Sequence, residues 1–339
     1  MFKTIFSKPF VVACALTLAC SVLGSLLAGL PYLAVLGALV ISLILGVVCQ
    51  AAKPAVAYAK PGIALISNKF LRAGIILLGF KLNLVALAQA GVKTIALACV
   101  VVTGTIFLAY NLARRFGVDR HLAILTASGT GICGAAAVMG IASQLPTSEK
   151  EAERHGEDKV VAVAIVAILG TLFTLVDIAV GPLLGMSATQ FGVMAGGSLH
   201  EIAHAVAAGG AGGSESLDIA IITKLSRVLL LAPAAIVIGV WYRKAEGVEA
   251  DGKGKVPIPW FMVGFVAASV IGTFAPLTQE MLDGLVKVSY LLLGMAMAAL
   301  GMTVNFRVLL TRGRNAFVAA LITSIVLLAF VAAMALLFF

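Results

Sequence analysis

Residues 316–338 read AFVAALITSIVLLAFVAAMALLF, a stretch without a single charged residue. An apolar run of about 20 residues is the length that crosses a bilayer as an α-helix. Similar runs recur along the whole chain, which is 61% hydrophobic and 12% charged, whereas soluble domains carry roughly 25% charged residues. The short alternating segments typical of membrane β-barrels do not occur. The sequence therefore predicts an all-α polytopic membrane protein, with residues 1–339 forming one integral membrane domain.

Eleven apolar segments are candidate membrane spans. They cover roughly residues 10–30, 32–50, 62–87, 93–113, 121–144, 159–181, 190–211, 217–241, 258–276, 283–305 and 314–338. The segments 121–144 and 190–211 are rich in Gly and Ala, which weaken a helix or let backbones approach closely. We therefore expect about 11 transmembrane helices, of which one or two are broken or re-entrant. A central glycine-rich core is expected over residues 121–242.

The loop charges predict the orientation of the chain. Its net charge is +9, but the basic residues lie between apolar runs, so they indicate topology rather than nucleic-acid binding. A cytoplasmic N-terminus places Arg114, Arg115 and Arg243 inside. It places the acidic stretch 149–158 and the residues Glu215 and Asp218 outside. The prediction is a cytoplasmic N-terminus and an external C-terminus.

An internal repeat is visible in two places. LGFKLNL at 78–84 matches LGMTVNF at 300–306, and Gly91 matches Gly313 at the same offset. With eleven spans the segments 62–113 and 283–338 run in opposite directions, as inverted repeats of transporters do. A weaker likeness joins residues 127–138 to 195–206. In the eleven-span count these two run the same way, so an inverted pairing requires that one of them be re-entrant.

The first segment that carries chemistry is TASGTGICG at 126–134. A helix that restarts inside the membrane directs free amides and a positive dipole end at its surroundings, which favours an anion. The alternative is a small-residue packing face between helices. The substrate-binding candidates in this segment are Ser128, Gly129, Thr130, Gly131, Ile132, Cys133 and Gly134.

The second segment is GGSLHEIAH at 196–204, which places Ser198, His200, Glu201 and His204 in apolar surroundings. Ionisable residues at membrane depth are costly and usually functional. His200 and His204 are one helical turn apart, so we expect them to share one face. We therefore expect substrate contact or proton coupling. The alternative is an intramembrane zinc metallohydrolase of the HExxH type, which would need a third ligand such as Asp283.

The third segment is TKLSR at 223–227. Lys224 and Arg227 lie roughly 10 and 15 Å from the start of their span, and each central cation costs roughly 2.5–3.5 kcal/mol. We expect a substrate anion to offset these charges. Salt bridges to Glu201 or Asp177 are the structural alternative.

Further candidates for coupling or gating lie near the ends of spans. They are Lys81, Asn83, Asn305, Asp177 and His204. Interface anchoring is the alternative for Lys81, and a structural role is the alternative for Asp177.

These segments resemble the YeiH-type family of bacterial inner-membrane proteins, which are described as candidate sulfate exporters. The resemblance rests on GICGAAAV at 131–138, GSLHE at 197–201 and KLSRVLLLAP at 224–233. It implies a fold similar to the sodium/proton antiporter and bile-acid symporter superfamily, with inverted repeats and crossing broken helices. It also implies a location in the bacterial inner membrane. Relatives typically have Gln where this chain has His204, which disfavours the HExxH interpretation.

The predicted function is secondary active transport of a small anion. The resemblance implies sulfate or a related sulfur-containing anion as the substrate, and export is the expected direction. No GxxxxGK[ST] motif for ATP occurs, so H+ or Na+ is the expected coupling ion. Expected partners are the lipid bilayer and a second copy in a homodimer. No enzymatic activity, cofactor, metal or nucleic acid is expected. An uncoupled anion channel is the remaining alternative.

Overall fold

The computed structural model describes residues 8–30, 33, 37–82, 84–85, 91–147, 151–246, 260–303 and 306–339. Every regular element in these ranges is helical, and they contain no strand. Six helical segments within the same ranges are long and apolar enough to cross a membrane: Lys8–Leu27, Gly91–Arg115, Ala152–Leu183, Ser214–Ala245, Gln279–Gly301 and Gly313–Phe338. The prediction of an all-helical membrane protein is confirmed, whereas the count of eleven spans is not.

The chain divides into two compact units. Unit 1 comprises residues 1–85 and 264–305, and unit 2 comprises residues 86–263 and 306–339. The predicted repeat segments 62–113 and 283–338 each pass from unit 1 into unit 2, one after Val85 and the other after Asn305. The predicted glycine-rich core at 121–242 lies wholly in unit 2. The inverted relation of the two repeat segments stays a prediction.

Unit 1 is built from helices that approach closely at glycines. Its helices are α1 (Lys8–Leu27), α2 (Gly37–Cys49), α3 (Lys53–Leu65), α4 (Leu71–Leu78), the later part of α13 (Trp260–Phe274) and α14 (Gln279–Gly301). A π-helical turn at Ile66–Phe70 joins α3 to α4, and a 3-10 turn at Gly79–Lys81 follows α4. A side chain at Gly46 or at Gly301 would collide with the backbone of the helix packed against it, so small residues set the spacing of α2 and α14.

Unit 2 contains the long helices and the four short ones between them. They are α5 (Gly91–Arg115), α6 (Arg120–Gly131), α7 (Ala135–Ala142), α8 (Ala152–Leu183), α9 (Ala188–Ser198), α10 (Ile202–Ala211), α11 (Ser214–Leu229), α12 (Leu231–Ala245) and α15 (Phe306–Phe338). The α8 helix has 32 residues, so at 1.5 Å per residue it is roughly 48 Å long. It connects the two ends of the unit.

The segment 120–142, hereafter hairpin A, enters and leaves unit 2 at the same end. Its helix α6 begins where His121 meets Asp158 near the start of α8, at 3.0 Å. After α7 the chain returns to this end, because Thr147 lies 3.1 Å from Nδ1 of His155. Midway along the hairpin, a methyl group at Gly129 would come within 2.8 Å of Val138. The two helices therefore pack side by side, and α6 with its 12 residues is roughly 18 Å long, about half a span.

The segment 188–211, hereafter hairpin B, enters unit 2 from the opposite end. Thr189 near its start donates to Glu215 at 2.8 Å, just after its end. Phe191 lies against both Gly181, near the end of α8, and Gly212. The tip of hairpin A is residues 131–134, and the tip of hairpin B is residues 198–201. The weak sequence likeness between 127–138 and 195–206 is thus a likeness between two re-entrant hairpins that enter unit 2 from opposite ends. In the eleven-span count the two segments ran the same way, and the hairpins remove that conflict.

Both segments that were expected to be broken or re-entrant, 121–144 and 190–211, are broken and turn back at their tips. One topology prediction is wrong. The acidic stretch 149–158 was expected at the end opposite Arg114 and Arg115, but its described residues lie at the same end, because Arg154 is 3.1 Å from Asp119. The error arose because the re-entrant hairpin before this stretch was counted as a crossing.

Candidate functional site

The tips of hairpins A and B meet beside the junction of α11 and α12. Pro233 in the first turn of α12 has no N–H for the carbonyl of Leu229, so the long segment Ser214–Ala245 bends at Leu230. Lys224 and Arg227 lie on the last turns of α11, and neither is exposed to solvent at all. The structure thus brings together the three segments singled out in the sequence.

Arg227 holds the carboxyl-terminal ends of both inward helices. Its guanidinium donates to the carbonyls of Thr130, Gly131, Gly197 and Leu199 at 2.7 to 3.3 Å. A guanidinium has five N–H donors, and these contacts use all five. The last carbonyls of a helix lack intrahelical partners and carry the negative end of its dipole, so the cation offsets both ends at once.

Lys224 bridges the same two tips. Its ammonium donates to the carbonyl of Ile132 at 3.0 Å and to the carbonyl of Leu199. An ammonium has three donors, so one N–H remains for a further partner. Among the described residues no ion pair within 4.0 Å joins Lys224 or Arg227 to a carboxylate. The salt bridges to Glu201 or Asp177 that were the structural alternative are therefore wrong.

Glu201 occupies the amino-terminal end of α7. Its Oε1 accepts from the backbone N–H of Ala135 at 3.4 Å, where a helix favours negative charge. Gly134 makes this possible, since its φ of +66° suits glycine. A methyl group there would also come within 2.8 Å of Oε1 of Glu201. The other carboxylate oxygen, Oε2, is buried without a hydrogen-bond partner.

The amino-terminal end of α10 has no side-chain cap. In an α-helix the first N–H groups have no intrahelical partner, and here the first intrahelical bond runs from Ala205 to the carbonyl of Glu201. Of the residues in this first turn that the structure describes, neither Ile202 nor His204 has a protein acceptor for its backbone N–H, and this end of α10 lies at the crossing of the two tips.

His200 and His204 do not share a helical face, because α10 begins only at Ile202. His200 lies 3.0 Å from the hydroxyl of Ser324, and His204 packs against Gly170 and lies 3.5 Å from the hydroxyl of Thr171. The expectation of one common face is wrong because the helix breaks between them. No group of three His, Cys, Asp or Glu side chains placed to hold a metal occurs among the described residues.

The two histidines have the same hydrogen-bond pattern. Ser324 donates to the carbonyl of Ala320 at 2.8 Å, and Thr171 donates to that of Ala167 at 3.0 Å. Each hydroxyl has one proton, so each accepts from Nε2–H of its histidine. The Nδ1 atoms of His200 and His204 are buried without a hydrogen-bond partner. Each is therefore an acceptor that becomes a donor when the ring takes up a proton.

Asp177 lies beside the tip of hairpin B. Its Oδ2 is 2.6 Å from the hydroxyl of Ser198, which is also 2.7 Å from the carbonyl of Met194. One hydroxyl proton cannot serve both acceptors, so both bonds form together only when Asp177 carries a proton and donates it. The second oxygen of Asp177 is buried without a partner.

Unsatisfied polar atoms are concentrated around the tips. Buried polar side-chain atoms normally have a partner, yet several here have none. They belong to Thr126, Thr130, Asp177, His200, Glu201, His204 and Thr223. Seven such residues in one region are what a binding site for water, protons or a polar solute requires.

The remaining predicted residues are spread more widely. Ser128 is fully buried and donates to the carbonyl of Ile124, and Cys133 is buried at the tip of hairpin A. Lys81 lies in unit 1 and donates to Tyr290 at 3.1 Å. Asn83 and Asn305 lie outside the described residues. The sequence analysis did not identify Ser324 and Thr171 as the partners of the two histidines. A lone hydroxyl in an apolar run was their only signal.

Comparison with known proteins fixes the family. The sequence profile of a family described as conserved hypothetical protein 698 matches residues 13–320. The chain belongs to this family. It is 53% identical to a UPF0324 membrane protein of Lactobacillus johnsonii over the full length of both chains. It is 50% identical to one of Bifidobacterium longum (96% of this chain, 94% of the relative) and 45% identical to one of Bacillus cereus (92% and 90%). No solved structure matches the chain.

Members of the family are thus named as membrane proteins, which agrees with the apolar helices of this chain. The chain is a multi-pass membrane protein. The names of the relatives given above state no substrate.

Proposed function

We propose that this protein is a secondary active transporter of a small anion, and that sulfate or a related sulfur-containing anion is the substrate to test first. The observation that carries the proposal is the meeting of two oppositely inserted hairpins at buried, ionisable and unsatisfied groups. Transporters place substrate and ion sites near the bilayer midplane, where interrupted helices end. The choice of a sulfur-containing anion, and export as the direction, rest on the family resemblance alone.

The charges at the tips favour an anion. Lys224 and Arg227 supply two positive charges, whereas Glu201 supplies one negative charge at the end of α7. The partial charges of the four helix ends that meet here largely cancel, since two ends are amino-terminal and positive and two are carboxyl-terminal and negative. An anion at the open end of α10 would accept from free amides and from the unused N–H of Lys224. Arg227 has no N–H left for it, so we assign Arg227 to holding the tips rather than to binding.

The histidines favour H+ as the coupling ion. In the neutral state Nδ1 of His200 and of His204 has no hydrogen-bond partner, and in His204 this atom lies against Gly170 of α8. A proton on either ring turns this atom into a donor and adds a positive charge. Proton and anion would then bind together and move in the same direction.

Flux in proteoliposomes tests the proposal. Vesicles loaded with radiolabelled sulfate should lose it faster when their interior is acidic than when the pH is equal on both sides. In the reverse experiment, with sulfate supplied outside empty vesicles, protons should enter the vesicles together with the sulfate. Sulfite, thiosulfate, taurine and simple carboxylates serve as competing substrates. Equal sulfate flux with and without an ion gradient would identify an uncoupled channel, and no flux of any of these anions would contradict the proposal.

Zinc analysis of the purified protein tests the hydrolase alternative. The broken helix between His200 and His204 predicts no stoichiometric zinc. Zinc bound through both histidines would favour the hydrolase instead.

A further inference from the structure

A second group of buried titratable residues lies at the base of hairpin A, away from the tips. The rings of His121 and His155 are stacked in parallel, with their centroids 3.7 Å apart and their planes 7° apart. Both residues are buried, and so is Asp158. The pair of rings is called the histidine stack below.

The histidine stack connects the two ends of hairpin A to α8. Nδ1 of His121, at the start of α6, is 3.0 Å from Oδ2 of Asp158. Nδ1 of His155 is 3.1 Å from the hydroxyl of Thr147, which follows α7. The stack therefore touches the chain where hairpin A begins and where it returns.

The charged groups around the stack come from three elements. At the start of α8 lie Glu151, Arg154 and Asp158. At the start of α6 lie Asp119 and Arg120. At the end of α12 lie Tyr242 and Glu246. Arg120 is paired with Glu246, and Arg154 is paired with Asp119. Within each of these partly exposed pairs the charges are opposite, and the charged group in direct hydrogen-bond contact with the stack is Asp158.

The geometry points to a proton-binding site that is distinct from the tips: the histidine stack holds one proton while the base of hairpin A is packed against α8, and a second proton loosens this contact. A first proton makes His121 a cation paired with Asp158. A second proton on His155 places a like charge at a ring separation of 3.7 Å, and like charges so close repel strongly in a buried setting. Separation of the rings relieves this repulsion, and separation moves the start of α6 away from α8.

The inference deepens the proposed function, since it rests on coupling to H+, and it supplies a device by which protons act on hairpin A. It implies that hairpin A, and not hairpin B, responds to acid at its base. The base of hairpin B is held instead by a capping box between Ser187 and Gln190 and by the bond from Thr189 to Glu215. Neither of those contacts contains a histidine.

Histidine NMR tests the shared proton. The chain has four histidines, so selective isotope labelling in lipid nanodiscs gives four ring signals, which single His→Gln variants assign. As the pH is lowered from about 8, we expect the ring signals of the histidine stack to shift in two separate steps that both rings report. In His155→Gln, which keeps a hydrogen-bonding group beside Thr147, only one step should remain.

Hydrogen–deuterium exchange tests the loosening. Wild type and His155→Gln are compared at the same acidic pH, so that the intrinsic effect of pH on exchange cancels. We expect several-fold faster exchange in residues 120–126 of wild type only, with residues 188–194 of hairpin B as the internal control. Asp158→Asn provides a second variant, in which the first proton should bind less readily.

Independent single-step titration of both rings in wild type would overturn the proposal. So would equal exchange of residues 120–126 in wild type and His155→Gln. Neither measurement uses flux, so failure of the proposed transport would leave them interpretable. Conversely, if sulfate flux is coupled to protons but the ring signals and the exchange rates do not change as described, only this inference is refuted.

Discussion

Hairpins A and B have the same architecture, but different groups cap the helix ends at their tips. In both, the carboxyl-terminal end of the inward helix is held by Arg227 and Lys224. The amino-terminal end of α7 in hairpin A is occupied by the carboxylate of Glu201, whereas that of α10 in hairpin B has no side-chain cap. The helix end of α7 in hairpin A is thus occupied by a residue of hairpin B, and hairpin B presents the open positive end. This difference is the reason that we propose hairpin B as the place where the anion binds.

Loss of Arg227 should have the largest effect, because both hairpins depend on it. Arg227→Met leaves the carbonyls of both tips without donors, and each buried unsatisfied group costs about 1–3 kcal/mol. We expect a thermal unfolding midpoint lowered by more than about 10 °C, or no monodisperse protein at all. Arg227→Lys, with three donors instead of five, should be intermediate. Lys93→Met, which removes an exposed cation, is the control.

An Arg227→Met protein as stable as wild type would show that the guanidinium does not hold the tips. The assignment of Arg227 to structure would then be wrong, and a direct role in binding would regain support.

Glycine-to-alanine changes in the two hairpins should have opposite signs. Gly134→Ala places a side chain at a φ of +66° and against Glu201, which should cost about 2–5 kcal/mol from strain and overpacking. Gly210→Ala in α10 meets open space, so it should stabilise the helix by about 0.5–1 kcal/mol. Thermal unfolding of both variants measures the contrast. Equal effects would mean that the tip of hairpin A is not as tightly filled as the structure has it.

Loss of the bond between Ser198 and Asp177 should destabilise the protein less than either Arg227→Met or Gly134→Ala. Ser198→Ala removes a hydrogen bond of 2.6 Å that links hairpin B to α8 and leaves the buried carboxyl of Asp177 without a partner, which should cost about 1–3 kcal/mol. Ser226→Ala is the matched control, because Ser226 is equally buried but bonds only to its own helix, at Ile222. We expect a thermal midpoint a few degrees lower for Ser198→Ala than for Ser226→Ala. Identical midpoints would show that Asp177 does not anchor hairpin B.

The class of the fold could be predicted from the sequence, because uncharged apolar runs as long as 316–338 are typical of helices that cross a membrane. The sequence also singled out residues that the structure places together, since Lys224, Arg227 and Glu201 are costly at membrane depth wherever they lie. The partners of the two cations could not be predicted. Hydrogen bonds to backbone carbonyls some 25 to 97 residues away leave no pattern in a single sequence.

A re-entrant segment was expected, but the sequence could not decide which of 121–144 and 190–211 turns back, for a physical reason. A hairpin of two half-length helices has the same total length and hydropathy as one crossing helix, so both segments were counted as spans. The histidine stack was missed because His121 and His155 are far apart in the chain and neither has a neighbouring motif. The signal for a break was the glycines of the two segments, at 129, 131 and 134 in one and at 196 and 197 in the other.

Sulfate exchange with Lys224 variants tests the central claim most directly. Lys224→Met removes the ammonium whose third N–H is assigned to the anion, while Lys224→Arg keeps the charge and further donors. In proteoliposomes with matched amounts of folded protein, we predict at least a tenfold loss of radiolabelled sulfate exchange in Lys224→Met. Lys224→Arg should restore part of it. Wild-type exchange in a folded Lys224→Met protein would contradict the assignment of the anion to the open end of hairpin B.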